Sequence, residues 1–413
     1  MRSRRPDLMF LGIILLILAA AAGLTWIIYT FLVPSGGDDV FAPMWEAARY
    51  VLAGNGSPYA PEAVRRATTL LSDSPVSVRY LYPVYMLPII FPFALIDSYA
   101  LARAIWMMVM FVSLVSLGLT ALALTRWRPK FLILFAYLVF AWGSVPAVRA
   151  AYLGNPAMLA GFFAAFGLLL IVQEHYSSAG FFLGLSIIKP QMVILLLVFV
   201  LLWAVSKRYM QLVSSMFMTV LVIVGATIAV SPVWFVQYYY QLLAFFQETF
   251  PASFAAAVWA WLPERGPWMM GIVGAVLFVW LLLEWWRALG KDTRWFLWTA
   301  SLTLSITSLF VLPYSISNQV VLVVPFTLVF SLWSQRFKQT GNILSVVVII
   351  LFTWGEWMAF VLTMNTISAG PANILMLTLR PVVAILLLYW VRYWALNSVM
   401  LKGMGRLEAL RRL

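Results

Sequence analysis

LMFLGIILLILAAAAGLTWIIYTFLV, residues 8–33, carries no charge and follows an Arg-rich start with Arg2, Arg4 and Arg5. A cleaved export signal has an apolar core of about 7–15 residues and a small-residue cleavage site. This run is longer, and as a helix it covers the roughly 30 Å hydrocarbon core of a bilayer, so it is expected to be a retained first membrane helix. The rest of the chain has the same character. Of 413 residues, 64% are hydrophobic and 10% charged, against about 25% charged in a soluble domain. A soluble enzyme is excluded, and an all-α polytopic membrane protein is expected.

Further apolar runs cover 99–125, 131–148, 156–173, 209–231, 268–286, 295–312, 317–333, 343–364 and 375–396. Two stretches need separate reading. Residues 179–206 are interrupted by Lys189-Pro190-Gln191, which predicts two short helices meeting at the lysine. Residues 81–97 carry Pro83, Pro88 and Pro92, a spacing that disfavours a regular crossing because each proline removes a backbone donor, so a re-entrant or interfacial segment is expected. The sum is about twelve transmembrane helices.

The net charge of +13, from 27 Lys and Arg against 14 Asp and Glu, is largely topological. With twelve crossings, the clusters at Arg126, Arg128 and Lys130, at Lys207 and Arg208, at Arg287, Lys291 and Arg294, at Arg336 and Lys338, and in the basic tail share one side with the N-terminus. The positive-inside bias places that side in the cytoplasm. The remaining basic residues, Arg49, Arg65, Arg66, Arg79, Arg103, Arg149, Lys189, Arg265 and Arg380, fall on or near the outer side. The expectation is one integral membrane domain over 1–413 of the plasma membrane, both termini cytoplasmic. It comprises a first helix over 8–33, an outer loop over 34–98, six helices within 99–231, a second outer loop over 232–267, five helices within 268–396 and a cytoplasmic tail over 397–413. Chemistry is expected on the outer face. No apolar-free segment is long enough for a nucleic-acid module, so no nucleic-acid partner is expected.

With no cysteine and a single histidine, His175, a thiolate nucleophile is absent and a zinc site is not expected. No Walker A sequence or dinucleotide fingerprint occurs. The first outer loop opens with Pro34-Ser35-Gly36-Gly37-Asp38-Asp39. These carboxylates read either as a solvated, helix-capping turn or as a general base whose desolvation raises its basicity. Trp45, Ala47, Ala48, Tyr50, Val51 and Leu52 predict a short amphipathic helix at the membrane surface, with Glu46 and Arg49 elsewhere, and a second helix is predicted over 61–71. Arg149 and Lys189 each end an apolar segment, where a charge is expensive and usually functional. Lys189 is expected partway into the membrane, where a lipid-linked phosphate would complement it. Asn318 and Gln319 enter an apolar helix after the turn Pro313-Tyr314-Ser315 and are expected to face a cavity or a partner.

Taken in order, Asp38-Asp39, Trp45-Glu46-Ala47-Ala48 with Leu52, Gly54 and Pro58-Tyr59, Tyr82-Pro83, Ala104-Ile105-Trp106, Arg149 with Gly154-Asn155, Ala179-Gly180 with Gly184-Leu185, Lys189-Pro190 and Pro313-Tyr314-Ser315 resemble glycosyltransferase family 87. The resemblance covers roughly residues 30–330. It implies a GT-C type fold and inverting transfer of a mannose-like hexose from a polyprenyl phosphate sugar donor to a hydroxyl of a lipid or glycan acceptor, at the outer face and in contact with membrane lipids, with no cofactor and no metal. It also implies that an acidic residue of the first outer loop is the base, here Asp39 or Asp38, with Asp39 favoured because it abuts the predicted amphipathic helix. Lys189 and Arg149 become donor-phosphate ligands, and Tyr82, Asn155, Gln191, Asn318 and Gln319 substrate-binding candidates. Two positions depart from the family pattern: Ile316, Asn318 and Gln319 stand where Trp and His are common, and Gly154-Asn155-Pro156 replaces a Gly-Gln-x-Asn pattern. A lipid or solute transporter with an intramembrane anion site is the rival reading; it accounts for the two cations but not for the one-sided outer loops.

Overall fold

The structure is a computed structural model that describes residues 8–31, 39–71, 79–248, 266–310, 315–364 and 370–397. Those residues are predominantly helical and contain no strand. In chain order the helices are α1 (Leu8–Phe31), α2 (Phe41–Leu52), α3 (Pro61–Leu70), α4 (Leu87–Ala94), α5 (Tyr99–Thr125), α6 (Phe131–Gly143), α7 (Val145–Tyr152), α8 (Ala157–Val172), α9 (Tyr176–Leu185), α10 (Pro190–Ser206), α11 (Met210–Val230), α12 (Trp234–Glu248), α13 (Gly266–Ala288), α14 (Thr293–Phe310), α15 (Val323–Phe337), α16 (Gln339–Ile350), α17 (Glu356–Met364) and α18 (Gly370–Asn397). Among the described residues, six helical stretches are long and apolar enough to cross a membrane, or seven if α6 and α7 count as one bent span. The protein is therefore a multi-pass membrane protein. Several of the other apolar runs form helices of 10–17 residues.

The breaks between these helices have local causes. The run over 131–148 bends by 47° where Ser144 adopts extended backbone and Pro146 removes a donor from the next turn. Lys189 separates α9, with its trailing 3-10 turn Ser186–Ile188, from α10, which opens on Pro190 as the spacing predicts. A π-helical turn, Leu351–Gly355, joins α16 to α17. Over 81–97 the chain makes a 3-10 turn, Val84–Met86, and then the eight-residue α4, about 12 Å long and well short of a crossing.

The chain forms two compact units. The first comprises residues 1–112, 151–155 and 226–243, and the second comprises 113–150, 156–225 and 244–413. In the first unit α2 is the core element. Phe41, Met44, Trp45, Glu46, Ala47, Ala48 and Tyr50 are all buried, so α2 is enclosed rather than laid on a surface with one face open. Its polar residues find protein partners at the edge of that enclosure, where Asp97 is exposed. Arg49 pairs with Asp97 at 3.2 Å and Glu46 with Arg66 at 3.9 Å, while the Trp45 indole N–H donates to the Phe93 carbonyl. The upper part of α1 packs Leu24 and Ile28 on Ala104, Met107 and Met108 of α5.

In the second unit α14 lies at the centre, in contact with α10, α13, α15 and α18. Trp298 donates to the Leu388 carbonyl, and Trp285 to the Thr303 hydroxyl. Three of its buried hydroxyls turn back on their own helix, Thr303 onto Thr299, Ser305 onto Ser301 and Thr307 onto Thr303, which satisfies these three where water is absent. Small residues set the spacing of α9 and α11: a Cβ at Gly180 would lie 2.5 Å from the Leu212 carbonyl oxygen.

Candidate active site

Asp39 closes the entry to α2. Its Oδ1 accepts the Phe41 backbone N–H, the first of the helix, at 2.8 Å, while its Oδ2 lies 2.8 Å from Arg103 Nε and accepts the Tyr99 hydroxyl. Tyr99, Arg103 and Trp106 recur at the i, i+4, i+7 spacing that brings side chains onto one face of α5. From that face Arg103 also donates to the Tyr152 carbonyl at 3.3 Å and the Trp106 indole to the Gly154 carbonyl at 2.7 Å. The Val40 N–H reaches the Leu153 carbonyl, and so the 151–155 segment is tied to Asp39's own strand of chain. Gly154 has φ +62°, and a Cβ there would sit 3.2 Å from both Phe41 and Trp106, which makes glycine the residue this close approach admits.

The rings of Phe41, Tyr99 and Trp106 stack above this junction, with Phe93 edge-on. Burial pushes the Asp39 carboxyl above the usual aspartate range, against the opposing pull of Arg103, Tyr99 and the backbone N–H groups. The result is a carboxylate of raised basicity in a nearly water-free enclosure. Arg103 and Tyr99 were not singled out as its partners by the sequence, although a basic residue in the first turns of an otherwise apolar helix is the signal that points to them. Asp38 lies outside the described residues.

The other candidates fall into the two units separately. Tyr82 and Asn155 belong with Asp39 in the first. Tyr82 is buried, with its carbonyl taking the Tyr59 hydroxyl at 2.8 Å, and Asn155 is buried just beyond Gly154. Arg149, Lys189, Gln191, Asn318 and Gln319 belong to the second. Arg149, on α7, stands over the Phe360 ring of α17 at 5.4 Å. Lys189 is 2% exposed at the α9–α10 break, its carbonyl accepting the Met192 N–H. Gln191 is half-buried in the first turn of α10. Gln319 spends its amide on a neighbouring helix, donating to the Leu377 carbonyl at 2.8 Å, whereas the buried Asn318 Oδ1 has no hydrogen-bond partner among the described residues. Among the described residues no three His, Cys, Asp or Glu side chains group as metal ligands do.

Residues 80–313 match the model of glycosyltransferase family 87. The chain belongs to glycosyltransferase family 87. No curated protein matches it. As a family 87 protein it is a membrane glycosyltransferase, which requires a sugar donor and an acceptor. The matched stretch takes in Tyr82, Tyr99, Arg103, Trp106, Arg149, Asn155, Lys189 and Gln191, while Asp39, Asn318 and Gln319 lie beyond its ends. In this glycosyltransferase, then, the family-matched part of α5 supplies the groups that hold a carboxylate contributed from outside the match.

Proposed function

We propose that the protein is an inverting glycosyltransferase of GT-C type, with twelve crossings and both termini cytoplasmic, that moves a mannose-like hexose from a polyprenyl phosphate sugar to a hydroxyl of a lipid or glycan acceptor at the outer face of the plasma membrane. The observation that carries this reading is the buried Asp39 carboxylate, held by Arg103 and Tyr99 and raised in basicity by its enclosure. Asp39 is the base. Its side chain is only 2% exposed, and Tyr99 is its partly exposed partner, so the acceptor proton passes to the Tyr99 oxygen as the Tyr99 proton passes to Asp39. The acceptor oxygen forms the new bond to the anomeric carbon on the face opposite the donor phosphate. The anomeric C–O bond to phosphate breaks, and its electron pair remains on the phosphate. Lys189 and Arg149 bind that phosphate, and charges in low dielectric stabilise a departing anion far more than they do in water. Tyr82, Asn155, Gln191, Asn318 and Gln319 are proposed to contact the substrates.

The test supplies purified protein in lipid with labelled polyprenyl phosphate sugars and an envelope lipid extract. A labelled product with inverted anomeric configuration is expected. Asp39→Asn should abolish turnover and leave donor binding intact; loss through Asp38→Asn instead would move the base by one residue. Failure with every donor, together with counterflow of a solute in sealed vesicles, would overturn the transferase reading in favour of transport.

A further inference from the structure

Helix α12 is amphipathic in the wrong sense for a helix facing water. Its polar side chains point into the first unit. Ser57 donates to Gln237 Oε1 at 2.5 Å, and Gln241 donates to the Tyr59 carbonyl at 3.1 Å. The same inner face packs Trp234 edge-on to Tyr85 at 5.8 Å and Tyr238 against Tyr59 at 6.1 Å. The opposite face, with Val233 just before the helix, presents Phe235, Val236, Tyr239, Tyr240 and Leu243, of which Phe235 is 67% and Tyr240 65% exposed. A soluble surface helix shows the reverse pattern, and a continuous apolar stripe of this kind marks a contact that the protein alone does not complete.

We propose that this face of α12 rests on the lipid bilayer, along the boundary between headgroups and hydrocarbon. Three further observations choose lipid over an aqueous protein partner. No charged residue occurs between Arg208 and Glu248, so up to its last residue α12 itself supplies none of the charged, polar border expected of a protein-docking patch. The stretch Met210–Ile228, which is apolar enough to cross a membrane, ends a few residues before α12, so α12 begins where a span ends. The adjacent Tyr239 and Tyr240 are of the type enriched at membrane–water boundaries. The helix has fifteen residues, about 22 Å, too short for the hydrocarbon core, so it lies along the membrane rather than across it. Through Gln237 and Gln241, α12 thereby sets the level of the unit that contains Asp39 against the lipid. The proposal does not depend on the role given to Asp39.

The chain has no cysteine, which allows single nitroxide labels without background. Val236→Cys, Tyr240→Cys and Leu243→Cys, each in the full chain reconstituted in phosphatidylcholine–phosphatidylglycerol vesicles, are compared for relaxation by oxygen and by a water-soluble nickel chelate. These side chains are on the outward face, and each variant should elute and insert as the parent does. Oxygen should outweigh the chelate at all three sites, with depths agreeing to within about one helical turn, roughly 5 Å. Three results would each overturn the proposal: greater relaxation by the chelate, which means water; a depth gradient of about 10 Å between positions 236 and 243, which means a crossing helix; or spin–spin broadening removed by dilution with unlabelled protein, which means a second copy of the chain.

Discussion

Arg103 Nε lies 2.8 Å from Asp39 Oδ2, with the two side chains only 4% and 2% exposed. Charges this far from water are stable only because each is complemented. Asp39 therefore does two jobs that share one geometry. It starts α2, and it presents a carboxylate whose proton affinity is raised.

Tyr99→Phe separates these jobs. Loss of the hydroxyl removes a bond that favours the charged carboxylate, so the Asp39 pKa, already raised, rises further. A base works only when deprotonated, so the acid limb of the pH–kcat/KM profile should move to higher pH. With the proton relay gone, kcat should fall by about 10²–10⁴. The melting temperature should change little, because Phe41 and Arg103 still hold Asp39. An acid limb that stays in place or moves down would remove Asp39 from the proton path.

Much of the helical layout is legible in the residues because the bilayer demands long apolar runs. The stretch 99–125 forms the helix Tyr99–Thr125, and the charge and proline at 189 and 190 mark the helix break in the sequence itself. What was not legible is pairing at a distance. Glu46 and Arg49 read only as residues off the apolar face of a surface helix, yet they meet Arg66 and Asp97, and no local pattern announces partners that only tertiary packing brings near. The Asp39–Arg103 pair and the Arg380–Glu356 pair have the same origin.

Arg380 illustrates the energetics of such a pair inside the helical bundle. It lies 3.0 Å from Glu356 Oε1, donates to the Phe352 carbonyl at 2.9 Å and to Ser144 Oγ at 3.4 Å, and sits over the Phe140 and Phe352 rings. It thus joins the α6–α7 break to the π-helical turn. Arg380→Met alone strands Glu356 and should cost about 3–5 kcal/mol. The double variant Arg380→Met with Glu356→Met should recover much of that loss, since no charge is left uncompensated. Thermal inactivation in detergent checks both, and equal losses for the single and double variants would mean that the pair is not coupled.

Helix spacing gives a contrasting pair of glycines. At Gly180 an added Cβ would press on the Leu212 carbonyl and the Met216 N–H, both backbone atoms that cannot rotate away, so Gly180→Ala should separate α9 from α11 and cost about 1–3 kcal/mol. At Gly225 nothing stands within 4 Å, and Gly225→Ala should be neutral or stabilising by up to about 1 kcal/mol, the helix-propensity difference. A thermal shift of the same sign and size in both would show that contact with α9 does not set the cost.

Lys189 is the sharpest test of function against structure. The residue is 2% exposed at a helix break opened by Pro190, in an apolar segment where a charge is expensive and usually functional. Lys189→Met keeps the length and apolar stem and deletes the charge. If the charge serves the donor phosphate, kcat/KM for the donor should fall by about 10²–10³, as when one stabilising donor is removed from an anion site, with donor affinity weakened as well. Thermal stability is measured beside it, and the fall in donor turnover should exceed any change in the folded fraction. A purely structural lysine would lose turnover only in step with the folded fraction and leave donor affinity unchanged, and Lys189→Met with full activity would end the assignment of donor phosphate to this position.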